Sequence, residues 1–316
     1  MPTASAGSPL IALTGATGFI GRSLVRELIA RGYRVRILLR RPSPVPLDCS
    51  SAVIGDLAQL RNMKDAFQDV DFVIHTAGVA HAMSGIPEDD YRTLNTEATI
   101  ALARSSQTMG AKRFVFLSSV RAQCGPSSAK MLSEDDEPAP IDAYGRSKLA
   151  AEQGLAKLDL DWVALRLPLT YGPGVKGNFA RLARLADSPY PLPFGGLTAR
   201  RSILSLENLA SAMQCVLAHE QPLRRSLLVA DPEAVSLPEL VRVLREARGR
   251  GAALLPVPQL LLRLALQALG RSEEYARVAE PLIVSTSGLQ RLGWQPAVST
   301  HEGLIRYAQS AQLQPT

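Results

Sequence analysis

At 316 residues, with 46% hydrophobic and 20% charged side chains, the chain has room for about two ordinary domains and is too apolar to be a disordered or low-complexity protein. Its net charge of +6 comes from arginines scattered along the sequence rather than from a basic tract. That predicts a solvated surface, no nucleic-acid partner, and compatibility with an anionic small molecule.

The segment Met1 to Pro9 carries neither a basic region nor an apolar run of export-signal length. The most apolar stretch, Leu254 to Leu269, is interrupted by Pro256, Pro258 and Arg263, well short of the ~20 residues that a bilayer demands. A cytoplasmic protein without a membrane span is expected. Cys49, Cys124 and Cys215 are too widely spaced for a disulfide framework or a zinc site and read as reduced thiols, and no cluster of His, Cys, Asp and Glu predicts a metal.

In chain order, Leu10 to Thr14 is an apolar strand that runs into Gly15-Ala16-Thr17-Gly18-Phe19-Ile20-Gly21 and then a segment of helical apolar spacing. Three glycines between a strand and a helix permit a tight turn, close approach of backbone to a pyrophosphate, and close helix-on-strand packing, while the free amides at the helix start bind the anion. Any strand-to-helix turn can use glycine, so the flanking pattern is what turns this one into a dinucleotide site. A second strand, Val35 to Leu39, ends at Arg40-Arg41, where a cofactor lacking a 2′-phosphate usually meets an acid. Arginine there favours NADP, against the plainer reading of two solvated side chains.

A third short strand is expected within Cys49 to Leu57, ending at Gly55-Asp56. Asp71 to His75 forms a fourth, followed by a helix over Leu94 to Met109 and a strongly apolar strand over Arg113 to Leu117. Strands alternate with helices, which predicts an α/β fold with a doubly wound parallel sheet whose ligands lie beyond the carboxyl ends of the strands. The strand before Ser118-Ser119 delivers two hydroxyls to such an end. After an acidic, proline-rich loop, a helix begins near Ala143 and carries Tyr144-Gly145-Arg146-Ser147-Lys148. Tyrosine and lysine four apart share one helix face. A phenol of pKa near ~10 is a poor base alone, but a neighbouring ammonium stabilises its phenolate, so the pair can move a proton to or from a carbinol. Ser119 is placed to hydrogen-bond the same substrate oxygen.

Trp162 to Leu167 is a further strand. Beyond Gly172 the alternation loosens into proline-marked connections, which divides the chain into a cofactor domain over 1–172 and a smaller, mostly C-terminal α/β substrate lobe over 173–316, with 202–217 returning to the first. His75, at a strand end, is explained by packing and hydrogen bonding, and neither it nor His81 is assigned a catalytic role.

These residues together resemble the extended short-chain dehydrogenase/reductases, which comprise nucleotide-sugar epimerases, dehydratases and reductases on a Rossmann-type sheet. The resemblance rests on the glycine turn, Gly55-Asp56-Leu57, His75-Thr76-Ala77-Gly78, Asn95, Ser118-Ser119, Tyr144-x-x-x-Lys148, Tyr171-Gly172-Pro173-Gly174 and Leu292-Gly293-Trp294-Gln295-Pro296. It implies an NAD(P) cofactor held by Gly15, Thr17, Gly18, Phe19, Ile20, Gly21, Asp56, Leu57, Thr76, Ala77, Gly78, Asn95, Tyr144 and Lys148, to which the strand-end reading adds Arg40, where the usual epimerase has an acid. It also implies Ser119, Tyr144 and Lys148 as the catalytic set, and Arg121, Asn178 and Arg201 as contacts to a UDP-sugar or related substrate. Family members pair through helices that would correspond to Leu94–Met109 and Tyr144–Leu158, so a homodimer is expected by analogy.

Where sugar dehydratases carry an Asp-Glu pair this chain has Val120-Arg121, which disfavours dehydration. Where the usual epimerase has asparagine, Leu169 stands. The segments after Pro168, Arg201 and Leu254 resemble bacterial reductases of UDP-4-keto-6-deoxy-N-acetylglucosamine, and reduction at C4 is the first expectation. A UDP-hexose 4-epimerase, a reductase of a lipophilic ketone and a cofactor-sensing protein without catalysis are the alternatives.

Overall fold

In the computed structural model, residues 7–79, 87–268, 270, 275 and 279–312 are described. Met1, His81 and Leu269 lie outside the described residues. Strand β1 (Leu10–Thr14) leads through the glycine turn into helix α1 (Phe19–Ala30), then β2 (Arg34–Leu39), β3 (Cys49–Val53), α2 (Met63–Phe67) and β4 (Phe72–His75). A helix follows in three parts: α3 (Glu88–Tyr91), a π-turn over Arg92–Glu97, and α4 (Ala98–Thr108). Next come β5 (Arg113–Ser119), α5 (Ala143–Leu155), β6 (Trp162–Leu167), β7 (Leu169–Tyr171), α6 (Gly177–Ala186), β8 (Arg200–Arg201) and β9 (Ile203–Ser205). The chain continues with α7 (Leu206–Ala218), β10 (Arg225–Leu228), β11 (Val235–Ser236), α8 (Leu237–Glu246), α9 (Gln259–Ala268), α10 (Ser287–Arg291) and α11 (Thr300–Gln312).

Seven strands form one parallel sheet in the order β10-β6-β5-β4-β1-β2-β3. The chain winds outward from β1 to β3 and then restarts on the other side with β4, so the carboxyl ends of β1 and β4 flank the switch point where such sheets bind ligands. Every residue of β5 is buried, as a central parallel strand covered on both faces must be. On one face, α1 and α7 pack into a core with Leu24, Val25, Leu28, Leu209, Met213 and Val216. On the other, Phe67, Leu102, Ala151 and Leu155 bring α2, α4 and α5 onto Phe114 and Phe116.

A separate core unites Tyr171, Phe179, Leu240, Leu244, Leu304 and Tyr307 from β7, α6, α8 and α11, with Tyr171 stacked on Phe179 at 5.1 Å. This core runs from Tyr171 to Ala308 in sequence. The main sheet nevertheless draws its edge strand β10 from residues 225–228, beyond the returning segment expected from sequence. Four residues, Arg-Ser-Leu-Leu, are too few to show a periodicity, and only pairing with β6 makes them a strand. Among the described residues, no helix is long and apolar enough to cross a membrane, and no cluster of potential metal ligands occurs.

Candidate active site

The turn after β1 is shaped by glycine where only glycine fits. Gly15 adopts a φ of +74°, and a Cβ there would stand 2.4 Å from Thr76 Oγ1. A Cβ on Gly21 would stand 2.1 Å from the carbonyl oxygen of Gly15, so α1 lies directly on the turn. Gly18 caps α1 without a side-chain hydrogen bond, and the first turn holds no acidic residue. The amides beginning at Phe19 are those a helix leaves without internal acceptors, with the positive end of its dipole behind them. Beside them opens a cavity of about 350 Å³ lined by Gly15, Thr17, Arg40, Arg41, Leu57 and Ala77, among others. This groove, without carboxylates in its lining among the described residues, fits the anionic dinucleotide that the turn predicts.

Thr17 and Gly18 are exposed, whereas Phe19 and Ile20 are half-buried and pack against the core under α1. With their side chains so placed, what these two could offer an anion at the helix start is their backbone amides. Arg40 follows β2 and approaches Asp56 Oδ2 at 3.8 Å, both side chains being largely solvated. Thr76 donates to the carbonyl of Thr14 at 2.7 Å, tying the loop after β4 to the end of β1.

Asn95 sits in the π-turn and is buried. Its Oδ1 accepts from Val79 N at 2.8 Å, and its Nδ2 donates to the Val79 carbonyl and to Ser147 Oγ, both at 3.1 Å. The extra residue of the π-turn re-aims this side chain, which pins the Gly78 loop to the helix bearing Tyr144 and Lys148. His75, wholly buried, shares hydrogen bonds with Thr14 Oγ1 at 2.7 Å and Thr99 Oγ1 at 3.0 Å. Burial and the Lys148 charge hold its pKa down to about 3, so it is a neutral packing group.

Ser119 closes β5, its Oγ accepting from Arg121 N at 3.2 Å, and β5 lies against α5. Asp142 caps α5 by accepting from Gly145 N at 2.6 Å. The next turn presents Tyr144, which hydrogen-bonds Ser119. Crowding by protein pushes the Tyr144 phenol up to about 12, the bond to Ser119 opposing that rise. One turn further, Lys148 is 5% exposed and donates to the Leu117 carbonyl at 2.9 Å. Burial brings its ammonium down to about 8, while the Glu152 carboxylate opposes that fall.

Behind Lys148 lies an ion pair that sequence reasoning did not anticipate. Glu152, on α5, takes Arg166 Nη2 at 2.6 Å, Ser118 Oγ at 2.5 Å and Ser226 Oγ at 2.8 Å, and Arg166 Nη1 donates to Gln123 at 2.9 Å. A buried pair with its hydrogen-bonding groups satisfied holds geometry. It clamps α5 to β5, β6 and β10.

Ser119 and Tyr144 face a second cavity of about 550 Å³, between the sheet's carboxyl edge and the second lobe, which Arg121, Leu167, Pro168, Leu169, Asn178 and Arg201 also line. The structure thus brings two of the three catalytic candidates, Ser119 and Tyr144, and the three substrate-contact candidates to one cavity, with Lys148 buried one helical turn after Tyr144. Arg121 is not a bare charge: its guanidinium pairs with Asp142, the cap of the catalytic helix. Arg201 donates to the carbonyls of Glu280 at 2.6 Å and Pro126 at 2.7 Å. Asn178, at the start of α6, is exposed. Arg181, three residues further on, also lines the cavity; no motif marks it, and only the spacing from Asn178 could have drawn attention to it.

Comparison with known proteins bears on the family and the fold. The NAD dependent epimerase/dehydratase family matches residues 11–229. A UDP-glucose 4-epimerase of Vibrio cholerae is 34% identical over 311 residues, covering 95% of this chain and 94% of that one. The structure of MoeE5 in complex with UDP-glucuronic acid and NAD superposes with a TM-score of 0.74 at 27% identity, covering 96% and 99% of the two chains. WbmG of Bordetella bronchiseptica, in complex with NAD, shares the fold with a TM-score of 0.79 at 18% identity, over 98% and 96%.

Proposed function

We propose that this chain, which belongs to the NAD dependent epimerase/dehydratase family, is a nicotinamide-dependent oxidoreductase acting at C4 of a UDP-sugar, with reduction of a UDP-4-keto-6-deoxy-hexosamine as its net reaction. The observation that carries this reading is the placement of Tyr144 and Ser119 on the wall of the 550 Å³ cavity, with Lys148 directly behind. A Cβ on Gly78 would stand 3.7 Å from Lys148 Nζ, so the ammonium lies against the loop after β4, whose Ala77 lines the first cavity.

When bound, the nicotinamide dinucleotide supplies the hydride. Tyr144 Oη gives its proton to the oxygen forming at C4, Ser119 hydrogen-bonds that oxygen, and the Lys148 ammonium stabilises the phenolate left behind. Run backwards, the same groups take the proton from an alcohol. The glycine turn would hold the pyrophosphate, with Arg40 beside the adenine ribose favouring NADP, and Asn178 and Arg201 would hold the substrate's diphosphate.

Reduction of a 6-deoxy ketosugar is preferred because Leu167 is the register partner of Ser119 across β5 and β6. Pro168 and the half-exposed Leu169 continue that apolar wall into the cavity. Such a wall suits a methyl group better than a hydroxymethyl, which would lose hydrogen bonds to water there. A 4-epimerase is the second reading, favoured by the name of the Vibrio cholerae relative. Nicotinamide absorbance separates the two. Stoichiometric oxidation of NADPH or NADH with UDP-4-keto-6-deoxy-N-acetylglucosamine supports the reductase. Conversion of UDP-glucose to UDP-galactose without net cofactor use, with the ketosugar inert, replaces it by the epimerase.

A further inference from the structure

The geometry points to Arg181 as a diphosphate-binding residue of the substrate cavity, acting with Asn178 from α6. The inference rests on the UDP-sugar reading above and adds a residue that neither the glycine turn nor the tyrosine-lysine motif reveals.

A nucleoside diphosphate-sugar carries two phosphate charges into the cavity, and those charges need cations with donors to spare. Of the arginines expected to meet them, Arg121 is neutralised by Asp142. Arg201 has already committed Nη1 and Nη2 to the carbonyls of Glu280 and Pro126. Those carbonyls fix its plane, which makes it one fixed side of a site rather than a whole clamp.

Arg181 supplies what is missing. It lies three residues after Asn178 on α6, a spacing that places two side chains on one helix face, and both line the cavity. Its side chain is exposed, and among the described residues it makes no hydrogen bond or ion pair. No carboxylate lines the cavity among the described residues, so nothing there competes with an incoming phosphate. Leu182 and Leu185 follow on the same helix as apolar wall. An unpaired cation beside apolar side chains, facing a cavity without acids, is arranged for an anion of the ligand.

The test is calorimetric binding of UDP and of uridine to the full chain saturated with NADP, comparing the natural protein with Arg181→Gln and Arg181→Lys. Because the side chain is exposed, both variants should fold, and matching thermal melts verify it. Arg181→Gln should weaken UDP by about tenfold and leave uridine unchanged, and Arg181→Lys should recover part of the loss. Equal UDP affinity in the natural protein and Arg181→Gln overturns the assignment and marks Arg181 as a solvated surface charge; so does an equal loss for UDP and uridine. If the natural protein binds no UDP, the nucleotide reading falls first and this inference falls with it.

Discussion

Tyr144 and Lys148 stand one turn apart on α5, with the ammonium nitrogen 6.0 Å from the centroid of the phenol ring. The separation leaves the lysine free to bond the Leu117 carbonyl and act on the phenolate as a nearby charge rather than as a direct donor. On the proposed mechanism, proton transfer therefore rests on Tyr144. Tyr144→Phe should lower turnover by roughly 10²–10⁴-fold while cofactor affinity, measured by titration in the dark of substrate, stays nearly constant. Undiminished turnover would show that another group carries the proton.

The pH dependence follows from Lys148. Its ammonium, brought down to about 8 by burial, is present below that pH and lost above it, whereas Tyr144, pushed up to about 12, keeps its proton throughout. Reductive turnover should be flat toward neutrality and fall as pH rises through about 8. A profile unchanged past pH 10 would remove Lys148 from the charge balance at the phenolate.

His75 ties stability to acid. Its folded pKa of about 3 lies below the ordinary value of 6.5, so the unfolded chain binds the extra proton between those limits, and stability is lost as pH falls through that window. Between pH 6.5 and about pH 5 the loss from this group amounts to about 2 kcal/mol. Denaturant unfolding of His75→Gln at both pH values should show a smaller difference than the natural protein, and an equal difference would assign the acid sensitivity elsewhere.

Gly21 tests the cofactor cradle. A Cβ there meets the backbone of Gly15 at 2.1 Å and of Ala16 at 2.9 Å, so Gly21→Ala must lift α1 from the turn and carry its first amides out of register with a pyrophosphate. Cofactor affinity should drop by about tenfold or more, with an overpacking cost of about 1–3 kcal/mol. Unchanged affinity would mean that those amides do not hold the cofactor.

Sequence reading goes furthest where chemistry and local geometry coincide. The glycine turn is legible because close packing excludes side chains at Gly15 and Gly21, and the Tyr144–Lys148 pair because helical spacing fixes a shared face. Ser119 is legible because a buried strand must deliver its last residue to the sheet's edge. The partners behind these groups are not. Arg121 finds Asp142 across 21 residues, and Arg166 finds Glu152 across 14, through packing of α5 on the sheet that no spacing encodes. Asn95 is visible as a residue of the resemblance, but its grip on Val79 depends on the π-turn, for which the sequence Arg92 to Glu97 carries no mark.

On the proposed reading, cofactor choice turns on Arg40, which lines the first cavity, and Asp56, which it approaches at 3.8 Å. A 2′-phosphate would be drawn to the guanidinium and repelled by the carboxylate, whereas a bare ribose diol would do the reverse and donate to the acid. Both side chains are solvated enough to turn toward either ligand, so their mutual attraction is weak and the bound cofactor decides which one is used. Arg40→Asp places two acids here and should weaken NADPH binding by about tenfold or more while changing NADH far less. Asp56→Asn should move the ratio the opposite way, because it removes the repulsion and keeps the cation. Fluorescence titration of both cofactors on both variants reads the two ratios directly. Equal losses for NADPH and NADH in Arg40→Asp would place the 2′-phosphate out of reach of Arg40 and leave NAD as the cofactor this groove is built to hold.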